Sequence, residues 1–281
     1  MKIHVSCVQM QPTLGDFAGN LAKMIQQVET VMHEAPQTQL IIFPELITSG
    51  YECQGDFQAL AETVEDGTSI REMGQVARKF GVHIVYGFPE RDSDLRDVLY
   101  NSAILLDADG SPVGVYRKVH LFASEKEFFR PGCSYPLFQT AIGKLGIMIC
   151  WDTAFPEVAR SYALQGADLL VVSTNWEKAY LPDLATDNEA DWDLVTRARA
   201  LDNCIYLAAA NRIGDDKTLG FFGRSKIIGP TGVPLAQLDE EREGMITAEL
   251  DYAIPLELRH RYYTFFRDRR PDTYGQLVRE Y

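Results

Sequence analysis

Residues 143–176, GKLGIMICWDTAFPEVARSYALQGADLLVVSTNW, give the clearest indication of the fold class. Apolar residues dominate 143–151 and 167–176, which is typical of strands that are buried on both faces. Residues 155–165 lie between these two strands and predict a helix. Such an alternation of strand and helix builds a sheet whose helices cover an outer face. We therefore expect an α/β protein.

The same alternation continues toward both ends of the chain. Further strands are predicted at residues 3–9, 39–46, 82–90, 101–110, 113–120 and 204–212, and antiparallel strands within 223–232, 233–238 and 244–251. Further helices are predicted from 16 to 32, at 68–80 and at 189–202. The sequence has no linker, low-complexity run or long internal repeat, so residues 1–281 are expected to form one domain.

The charge balance restricts the partners of this chain. Its 281 residues include 27 Lys and Arg against 40 Asp and Glu, a formal charge of −13. Because this charge repels phosphate backbones and anionic lipids, we expect a small-molecule partner and neither nucleic acid nor a membrane. No apolar run approaches the ~18 to 20 residues that cross a bilayer, and the N-terminus lacks a signal-peptide pattern. A cytoplasmic location is therefore expected.

The five cysteines are odd in number and far apart, without a paired spacing such as Cys-x-x-Cys. They predict neither a disulfide framework nor a metal site, and no metal or cofactor is expected. We expect Cys7, Cys53, Cys133 and Cys204 to be packing residues. Cys150 differs because it ends an apolar strand and has potential catalytic companions, so it is the candidate reactive thiol.

Chemically useful side chains occur at or after the ends of three predicted strands, namely Glu45, Lys118 and Cys150. In open α/β sheets, functional groups gather beyond the carboxyl ends of the strands. A thiol with an ordinary pKa of ~8.5 is mostly protonated at neutral pH, so a nucleophilic cysteine needs a base or a nearby cation. Glu45 could be the base and Lys118 the cation. Taken singly, each residue is equally compatible with a structural role.

Three motifs contain these residues, namely FPELITSGY at 43–51, YRKVHLF followed by EKEFFRPG within 116–132, and GIMICWDTAFPE at 146–157. In order and separation they resemble the catalytic motifs of the nitrilase, or carbon-nitrogen hydrolase, superfamily. The resemblance covers nearly the whole chain, because segments such as GFPE at 87–90 and STNW at 173–176 also fit. It implies a four-layer α-β-β-α sandwich with the active site at one end, between the sheets.

The resemblance also implies a role for each residue. Cys150 would be the nucleophile, Glu45 the general base and Lys118 the oxyanion stabiliser, assisted by the backbone N–H of Trp151. Attack of sulfur on the carbonyl carbon would release ammonia and leave a thioester. Water activated by the same Glu45 would then hydrolyse the thioester.

Superfamily members often have a second glutamate after the lysine motif, and both Glu125 and Glu127 are candidates here. The spacing to the following Pro-Gly pair favours Glu125. His120 is interpreted as a structural hydrogen-bonding residue, because the Glu-Lys-Cys set already supplies a base and an oxyanion group. The candidate substrate-binding residues are Trp151, Tyr51, Asn175 and Trp176.

Finer features of the motifs bear on the substrate. True nitrilases typically have Cys-Trp-Glu where this chain has Cys-Trp-Asp, which disfavours nitrile hydrolysis. The form CWDxxFPE resembles N-carbamoyl-amine hydrolases, while FPELITSGY resembles general amidases as closely. We therefore expect hydrolysis of a non-peptide carbon–nitrogen bond in a small linear amide, with release of ammonia. An N-carbamoyl-amine (carbamoylputrescine-like) amidohydrolase is the alternative, and a nitrilase or a non-catalytic scaffold is less favoured.

The superfamily commonly dimerises through the helices of the sandwich and its C-terminal segments. The tail at 255–281 is rich in Arg and aromatic residues, in contrast to the acidic remainder. Together with the helices at 155–165 and 189–202 and with Trp192, it is expected to form the interface of a homodimer or higher homo-oligomer. The pocket is expected to be shaped by two loops, 52–66 and 176–190.

Overall fold

Two six-stranded sheets form the centre of the computed structural model, which describes residues 1–178, 187–239 and 241–279. In chain order the strands are β1 (Lys2–Gln9), β2 (Leu40–Ile42), β3 (His83–Arg91), β4 (Leu99–Leu106), β5 (Pro112–Arg117), β6 (Leu137–Thr140), β7 (Gly143–Ile149), β8 (Leu169–Thr174), β9 (Tyr206–Asn211), β10 (Ile213–Asp215), β11 (Gly220–Phe222), β12 (Lys226–Ile228), β13 (Pro234–Gln237) and β14 (Gly244–Asp251). The helices are α1 (Phe17–Glu34), α2 (Phe57–Leu60), α3 (Thr68–Phe80), α4 (Glu125–Phe128), α5 (Pro156–Leu164), α6 (Asn188–Leu201), α7 (Ala253–Arg261) and α8 (Phe265–Asp268).

The two sheets share one plan. The first has the strand order β14-β1-β2-β3-β4-β5, and the second has the order β13-β12-β9-β8-β7-β6. Parallel strands stand at the centre of each sheet, β1 to β3 in the first and β7 to β9 in the second, with antiparallel strands on both sides. Because parallel neighbours need a crossover connection, helices separate these central strands along the chain, as the sequence predicts.

Local sequence explains where the crossover helices begin and end. The Asp16 side chain accepts a hydrogen bond from the Gly19 N–H and so caps the first turn of α1. Helix α3 spans the predicted residues and ends at Gly81, whose φ of 65° lies in the left-handed region that favours glycine. No helix within the described ranges is long and apolar enough to cross a membrane.

The core confirms the predicted order of layers. One buried cluster joins the facing sides of the two sheets, with Leu105 from the first sheet and Val171 from the second, and includes residues of α5 and α6. Another buried cluster joins the first sheet to α1 and α3, through residues such as Met24 and Met73. The molecule is therefore a four-layer α-β-β-α sandwich.

Some strands differ from their predicted extent or surroundings. Strand β2 is shorter than the predicted 39–46, because the chain leaves the sheet before Leu46, whose φ is 44°. Strand β14 does not stay beside β12 and β13 but crosses to the first sheet, where it pairs antiparallel with β1. The local pattern gives no sign of this crossing, since the two paired strands lie at opposite ends of the sequence.

The C-terminal tail folds back on its own chain through aromatic contacts. The ring of Phe266 lies against the guanidinium groups of Arg160 and Arg259, at 5.3 and 4.8 Å from their central carbons. Other large apolar side chains of the tail stay exposed, including Tyr262 and Val278.

Trp192 does not lie on this surface. It is fully buried, and its indole N–H donates a hydrogen bond to the carbonyl of Arg224. The prediction that Trp192 contributes to a subunit interface is therefore wrong, because its position on α6 points into the core rather than outward.

Candidate active site

The carboxyl ends of β2, β5 and β7 come together at one end of the sandwich. Glu45 follows β2, Lys118 follows β5 directly and Cys150 follows β7 directly. Glu45 and Lys118 are fully buried, and Cys150 is 4% exposed. The structure thus brings the three predicted residues into one buried cluster.

Cys150 occupies a strained turn that its neighbours hold in place. It begins a 3₁₀ turn with a φ of 44°, a conformation that costs a residue other than glycine about 1–3 kcal/mol. The buried carboxylate of Asp152 stabilises this turn by accepting hydrogen bonds from the Tyr116 hydroxyl at 2.7 Å and the His120 N–H at 3.0 Å. Asp152 is a supporting residue that sequence reasoning misses.

The Lys118 ammonium is the centre of a buried ion cluster. Its Nζ lies 2.7 Å from Glu45 Oε1 and 2.7 Å from Glu125 Oε1. Moving the ammonium away would leave two buried carboxylates uncompensated, which is strongly unfavourable. Lys118 is therefore fixed in position between its two partners.

Glu45 is oriented through both of its carboxylate oxygens. Besides Lys118, the Oε1 atom accepts a hydrogen bond from Asn101 Nδ2 at 2.7 Å, and Oε2 accepts one from the Asn175 backbone N–H at 2.9 Å. Gly87 permits this arrangement, because a Cβ atom there would lie 2.6 Å from the Glu45 Cα. Asn101 is also missed by sequence reasoning, although a polar residue in the buried strand β4 is a signal for it.

Burial and neighbouring charges determine how the cluster ionises. Burial raises the pKa of Glu45 despite the opposing charge of Lys118. Burial alone would lower the pKa of Lys118, but the charges of Glu125 and Glu45 outweigh it and raise that pKa. Burial, together with the charge of Glu45, raises the pKa of the Cys150 thiol against the influence of Lys118. Both shifts favour a neutral thiol next to a charged ammonium in the resting site.

Of the two candidate glutamates that follow the lysine motif, Glu125 is the one that contacts Lys118. It is 4% exposed, and its Oε1 also accepts a hydrogen bond from the Tyr51 hydroxyl at 2.6 Å. Glu127 lies on the same short helix but is exposed. Tyr51 and Glu125 are thereby placed together at the edge of the ion cluster.

The remaining candidate residues lie after β8 and after Cys150. Asn175 is 1% exposed, and neither polar atom of its side chain has a hydrogen-bond partner within the described ranges. The ring centroids of Trp151 and Trp176 are 6.0 Å apart, and that of Phe122 lies 4.9 Å from Trp151. We call these three rings the aromatic wall.

The two loops that are predicted to shape the pocket are described to different degrees. Residues of the loop 52–66, among them Gln54 and Phe57, line a cavity of about 250 Å³ together with Tyr51 and Glu125. The loop 176–190 lies partly outside the described residues, which resume at 187.

His120 and the other cysteines stand apart from the ion cluster. His120 Nδ1 lies 2.9 Å from Asp152 Oδ1, and the imidazole stacks on Phe155 with centroids 3.9 Å apart, which are contacts of a structural residue. Cys133 is exposed, so its prediction as a packing residue is wrong. It lies in an irregular segment after Pro-Gly, where the chain runs over the surface. Within the part of the chain that is described, no group of three His, Cys, Asp or Glu could hold a metal ion.

Comparison with known proteins identifies the family. A model of the Carbon-nitrogen hydrolase family matches residues 4–254. The chain is 54% identical to a probable nitrilase of Schizosaccharomyces pombe, over 99% of each chain. It is 33% identical to an N-carbamoylputrescine amidase of Arabidopsis thaliana, over 92% of this chain and 91% of that one.

A solved structure adds a chemical parallel. The chain matches a mutant of the amidase from Nesterenkonia sp. AN1 with a TM-score of 0.80 at 27% identity, over 96% of this chain and 94% of that one. In that structure the active-site cysteine carries the acetamide moiety of fluoroacetamide. The chain belongs to the carbon-nitrogen hydrolase family, the nitrilase superfamily. It is an amidase-type hydrolase, and the resemblance read from the motifs is confirmed.

Proposed function

We propose that this protein hydrolyses a small linear amide and releases ammonia through a thioester on Cys150. One observation carries the proposal most strongly. The Lys118 ammonium lies 2.7 Å from both Glu45 and Glu125, beside a thiol on a strained turn, inside a buried site. This arrangement supplies a nucleophile, a base and a fixed positive charge at one place.

The resting ionisation determines how the first step proceeds. Because the thiol is neutral, Glu45 takes the proton from Cys150 as sulfur attacks the amide carbon. The electron pair of the carbonyl moves onto its oxygen, where Lys118 and the backbone N–H of Trp151 stabilise the negative charge. Glu45 then gives the proton to the amide nitrogen, the carbon–nitrogen bond breaks and ammonia leaves.

The second step reuses the same groups. Glu45 takes a proton from water as the water oxygen attacks the thioester carbon, and Lys118 again stabilises the oxyanion. Collapse of this intermediate breaks the carbon–sulfur bond, returns the proton to Cys150 and releases the carboxylic acid. Glu125 and Tyr51 hold Lys118 in place through both steps.

Substrate binding involves the residues around the ion cluster. We assign Asn175 a hydrogen-bonding role, because its buried side-chain amide has no partner in the described ranges. The aromatic wall, which includes Trp151 and Trp176, packs against the apolar part of the substrate. Tyr51 lines the side that is nearest Glu125.

The alternative substrate class is an N-carbamoyl amine. It is supported by the CWDxxFPE motif and by the similarity to a plant N-carbamoylputrescine amidase. The same chemistry would then pass through a thiocarbamate on Cys150, and its hydrolysis would release the free amine and carbon dioxide in addition to ammonia. A nitrile is the third candidate, because one relative is a probable nitrilase.

A substrate panel separates these classes. Ammonia and carbon dioxide are measured with matched amides, carbamoyl amines and nitriles, and Cys150→Ala is the control for background hydrolysis. Ammonia without carbon dioxide from the amides supports the proposal. Activity confined to carbamoyl amines or to nitriles would replace it, and no Cys150-dependent activity on any substrate would support a non-catalytic scaffold.

We also propose that residues 1–281 form one domain that acts as a cytoplasmic homodimer or higher homo-oligomer, with 255–281 at the interface. Five free cysteines suit a reducing compartment, and the exposed apolar residues of the tail suit a second subunit. Deletion of residues 260–281 should lower the mass measured by light scattering to that of a smaller assembly. An unchanged mass would remove the tail from the interface.

A further inference from the structure

The hairpin β10–β11 borders the candidate site but has no part in the mechanism above. Its two strands pair with each other and form a small sheet outside the two large ones. The turn of the hairpin lies against the loop that carries Tyr51. There the Glu52 carboxylate accepts hydrogen bonds from the backbone N–H groups of Thr218 at 2.7 Å and Leu219 at 3.0 Å. The hairpin is thus tied to the residue next to Tyr51.

Asp216, in the same turn, contacts the backbone of this loop in return. Its side chain is fully buried, and its Oδ2 accepts hydrogen bonds from the N–H groups of Tyr51 at 2.9 Å and Glu52 at 3.1 Å. Hydrogen bonds to an ionised acceptor are roughly twice as strong as neutral ones. One carboxylate oxygen that binds two successive N–H groups therefore fixes the position of the Tyr51 backbone.

Arg212, just before the hairpin, orients Asp216. Its Nη2 lies 2.9 Å from Asp216 Oδ1, and both side chains are fully buried. Separating a buried pair leaves two uncompensated charges, so the carboxylate is held in one orientation. The central carbon of the Arg212 guanidinium also lies 4.3 Å from the centroid of the Phe221 ring, which contacts the Tyr51 ring edge-to-face at 6.0 Å. Arg212 thereby holds both the carboxylate and the ring that contact Tyr51.

Tyr51 connects the Arg212–Asp216 pair to the ion cluster. Its hydroxyl donates to Glu125 Oε1 at 2.6 Å, and the same Oε1 lies 2.7 Å from Lys118 Nζ. Burial and the charge of Glu125 raise the pKa of Tyr51, which keeps the hydroxyl protonated as a donor. Hydrogen bonds weaken steeply when their geometry is disturbed, so a displaced Tyr51 backbone would weaken the support of Glu125 and Lys118.

We propose that Arg212 and Asp216 are positioning residues that act on the reaction through Tyr51. They keep its hydroxyl on Glu125, and Glu125 in turn keeps Lys118 in place to stabilise the oxyanion. This inference rests on the proposed hydrolysis at Cys150. It also gives a reason for a buried ion pair in this hairpin, since apolar side chains of similar volume are often at least as stable in such a position.

A double-mutant cycle of Asp216→Asn with Tyr51→Phe tests the proposal, with kcat measured on an amide that the wild type hydrolyses. A single amide oxygen cannot both face Arg212 and accept the two backbone N–H groups, so the contacts of Asp216 are lost in part. In the wild-type background Asp216→Asn should lower kcat about fivefold or more and change KM less. In the Tyr51→Phe background it should lower kcat less than about twofold, because the hydroxyl that it positions is already absent.

Two further variants control for charge and for folding. Asp215→Asn changes the net charge equally at the exposed neighbouring position and should leave kcat unchanged. Arg212→Met combined with Asp216→Leu removes both buried charges together, so no unpaired charge is left to prevent folding. This apolar pair should show the same dependence on the Tyr51 hydroxyl as Asp216→Asn does. Urea unfolding verifies that every variant is folded.

The outcomes distinguish this inference from the proposed function. An equal loss of kcat in the presence and absence of the Tyr51 hydroxyl would indicate a general structural role of the pair. That result would overturn the inference and leave the amidase proposal standing, as would an equal loss in Asp215→Asn. Absence of Cys150-dependent hydrolysis of every amide would instead overturn the proposed function, and this inference with it.

Discussion

Lys118 and Lys226 are both buried lysines, yet their surroundings give them opposite properties. Lys118 lies between the buried carboxylates of Glu45 and Glu125, and its pKa is raised. Lys226 pairs with Asp193, whose side chain is 30% exposed, and lies over the ring of Trp192. Burial lowers the pKa of Lys226 from its ordinary 10.5 to about 8, in spite of Asp193.

Burial does not by itself determine the charge of a lysine. The number of carboxylates that share its burial decides whether the ammonium persists. The raised pKa keeps Lys118 charged, as its proposed role as oxyanion stabiliser requires. Lys226, whose pKa burial lowers to about 8, affects the pH dependence of folding stability instead. Substitutions at the two lysines and at their carboxylate partners test this contrast.

Each lysine can be deprived of one carboxylate partner, Lys118 by Glu45→Gln and Lys226 by Asp193→Asn. Glu45→Gln should reduce kcat/KM for an amide by about 10²- to 10⁴-fold, because it removes the proposed general base as well as a partner of Lys118. Asp193→Asn at Lys226 should leave kcat/KM within a few fold of the wild type. His120→Asn should likewise retain a measurable rate. Turnover that survives Glu45→Gln but disappears with His120→Asn would reverse the assignment of the base.

The second prediction removes the lysines themselves. Lys118→Met should reduce kcat by about 10²- to 10³-fold, which is the usual cost of losing one oxyanion donor. Lys226→Met keeps a similar volume and should change kcat little. Steady-state kinetics of the two folded variants measures the contrast. An equal decrease of kcat in both variants would contradict a direct role of Lys118, because Lys226 lies outside the candidate site.

The hydrogen bond between Tyr51 and Glu125 is expected to hold Lys118 in position. Tyr51→Phe removes the hydroxyl that donates to Glu125 at 2.6 Å, and hydrogen bonds to charged groups contribute roughly 1.5–3 kcal/mol. We expect kcat/KM to fall about tenfold. Tyr86→Phe is the control, because it removes the hydroxyl of a fully buried tyrosine that bonds Ser69 on the outer side of the first sheet, away from the candidate site. A similar loss in the control would indicate a general packing effect.

The fourth prediction concerns stability and pH at Lys226. Below about pH 8 the lysine is charged in both the folded and the unfolded chain, so the folded state bears the full penalty of a buried charge. Between about pH 8 and 10.5 the unfolded chain binds more protons, so the free energy of unfolding should rise with pH, by up to about 3 kcal/mol. Urea unfolding of the wild type and of Lys226→Met isolates this contribution. A pH dependence that is identical in both proteins would contradict the lowered pKa.

Much of the fold could be predicted from the sequence because its signals are local. The buried strands β7 and β8 and the helix between them follow from apolar runs and their spacing. Glu45, Lys118 and Cys150 each follow the carboxyl end of a strand, where functional groups of α/β proteins gather. Their convergence was predicted by the motif resemblance alone, because β2 and β5 are separated by two strands and β7 belongs to the other sheet. The pairing of β14 with β1 and the burial of Trp192 depend on tertiary contacts that no local pattern contains.

The candidate site was predictable only where a residue stood in a recognisable motif. The spacing to the Pro-Gly pair favoured Glu125 over Glu127. Only the structure shows which of the two side chains on the short helix α4 is directed toward Lys118. Asn101 and Asp152 support the cluster from positions that look like ordinary strand and turn residues.

The most direct test of the account is to capture the thioester. The enzyme is mixed with an excess of an amide that it hydrolyses, quenched in acid within a single turnover and mapped by mass spectrometry. The protein used carries Cys133→Ser, because the exposed Cys133 thiol could otherwise be modified. We predict an acyl group on Cys150 that forms and decays at rates compatible with ammonia release, and none in Cys150→Ala. Ammonia release at the wild-type rate from Cys150→Ala would contradict the account.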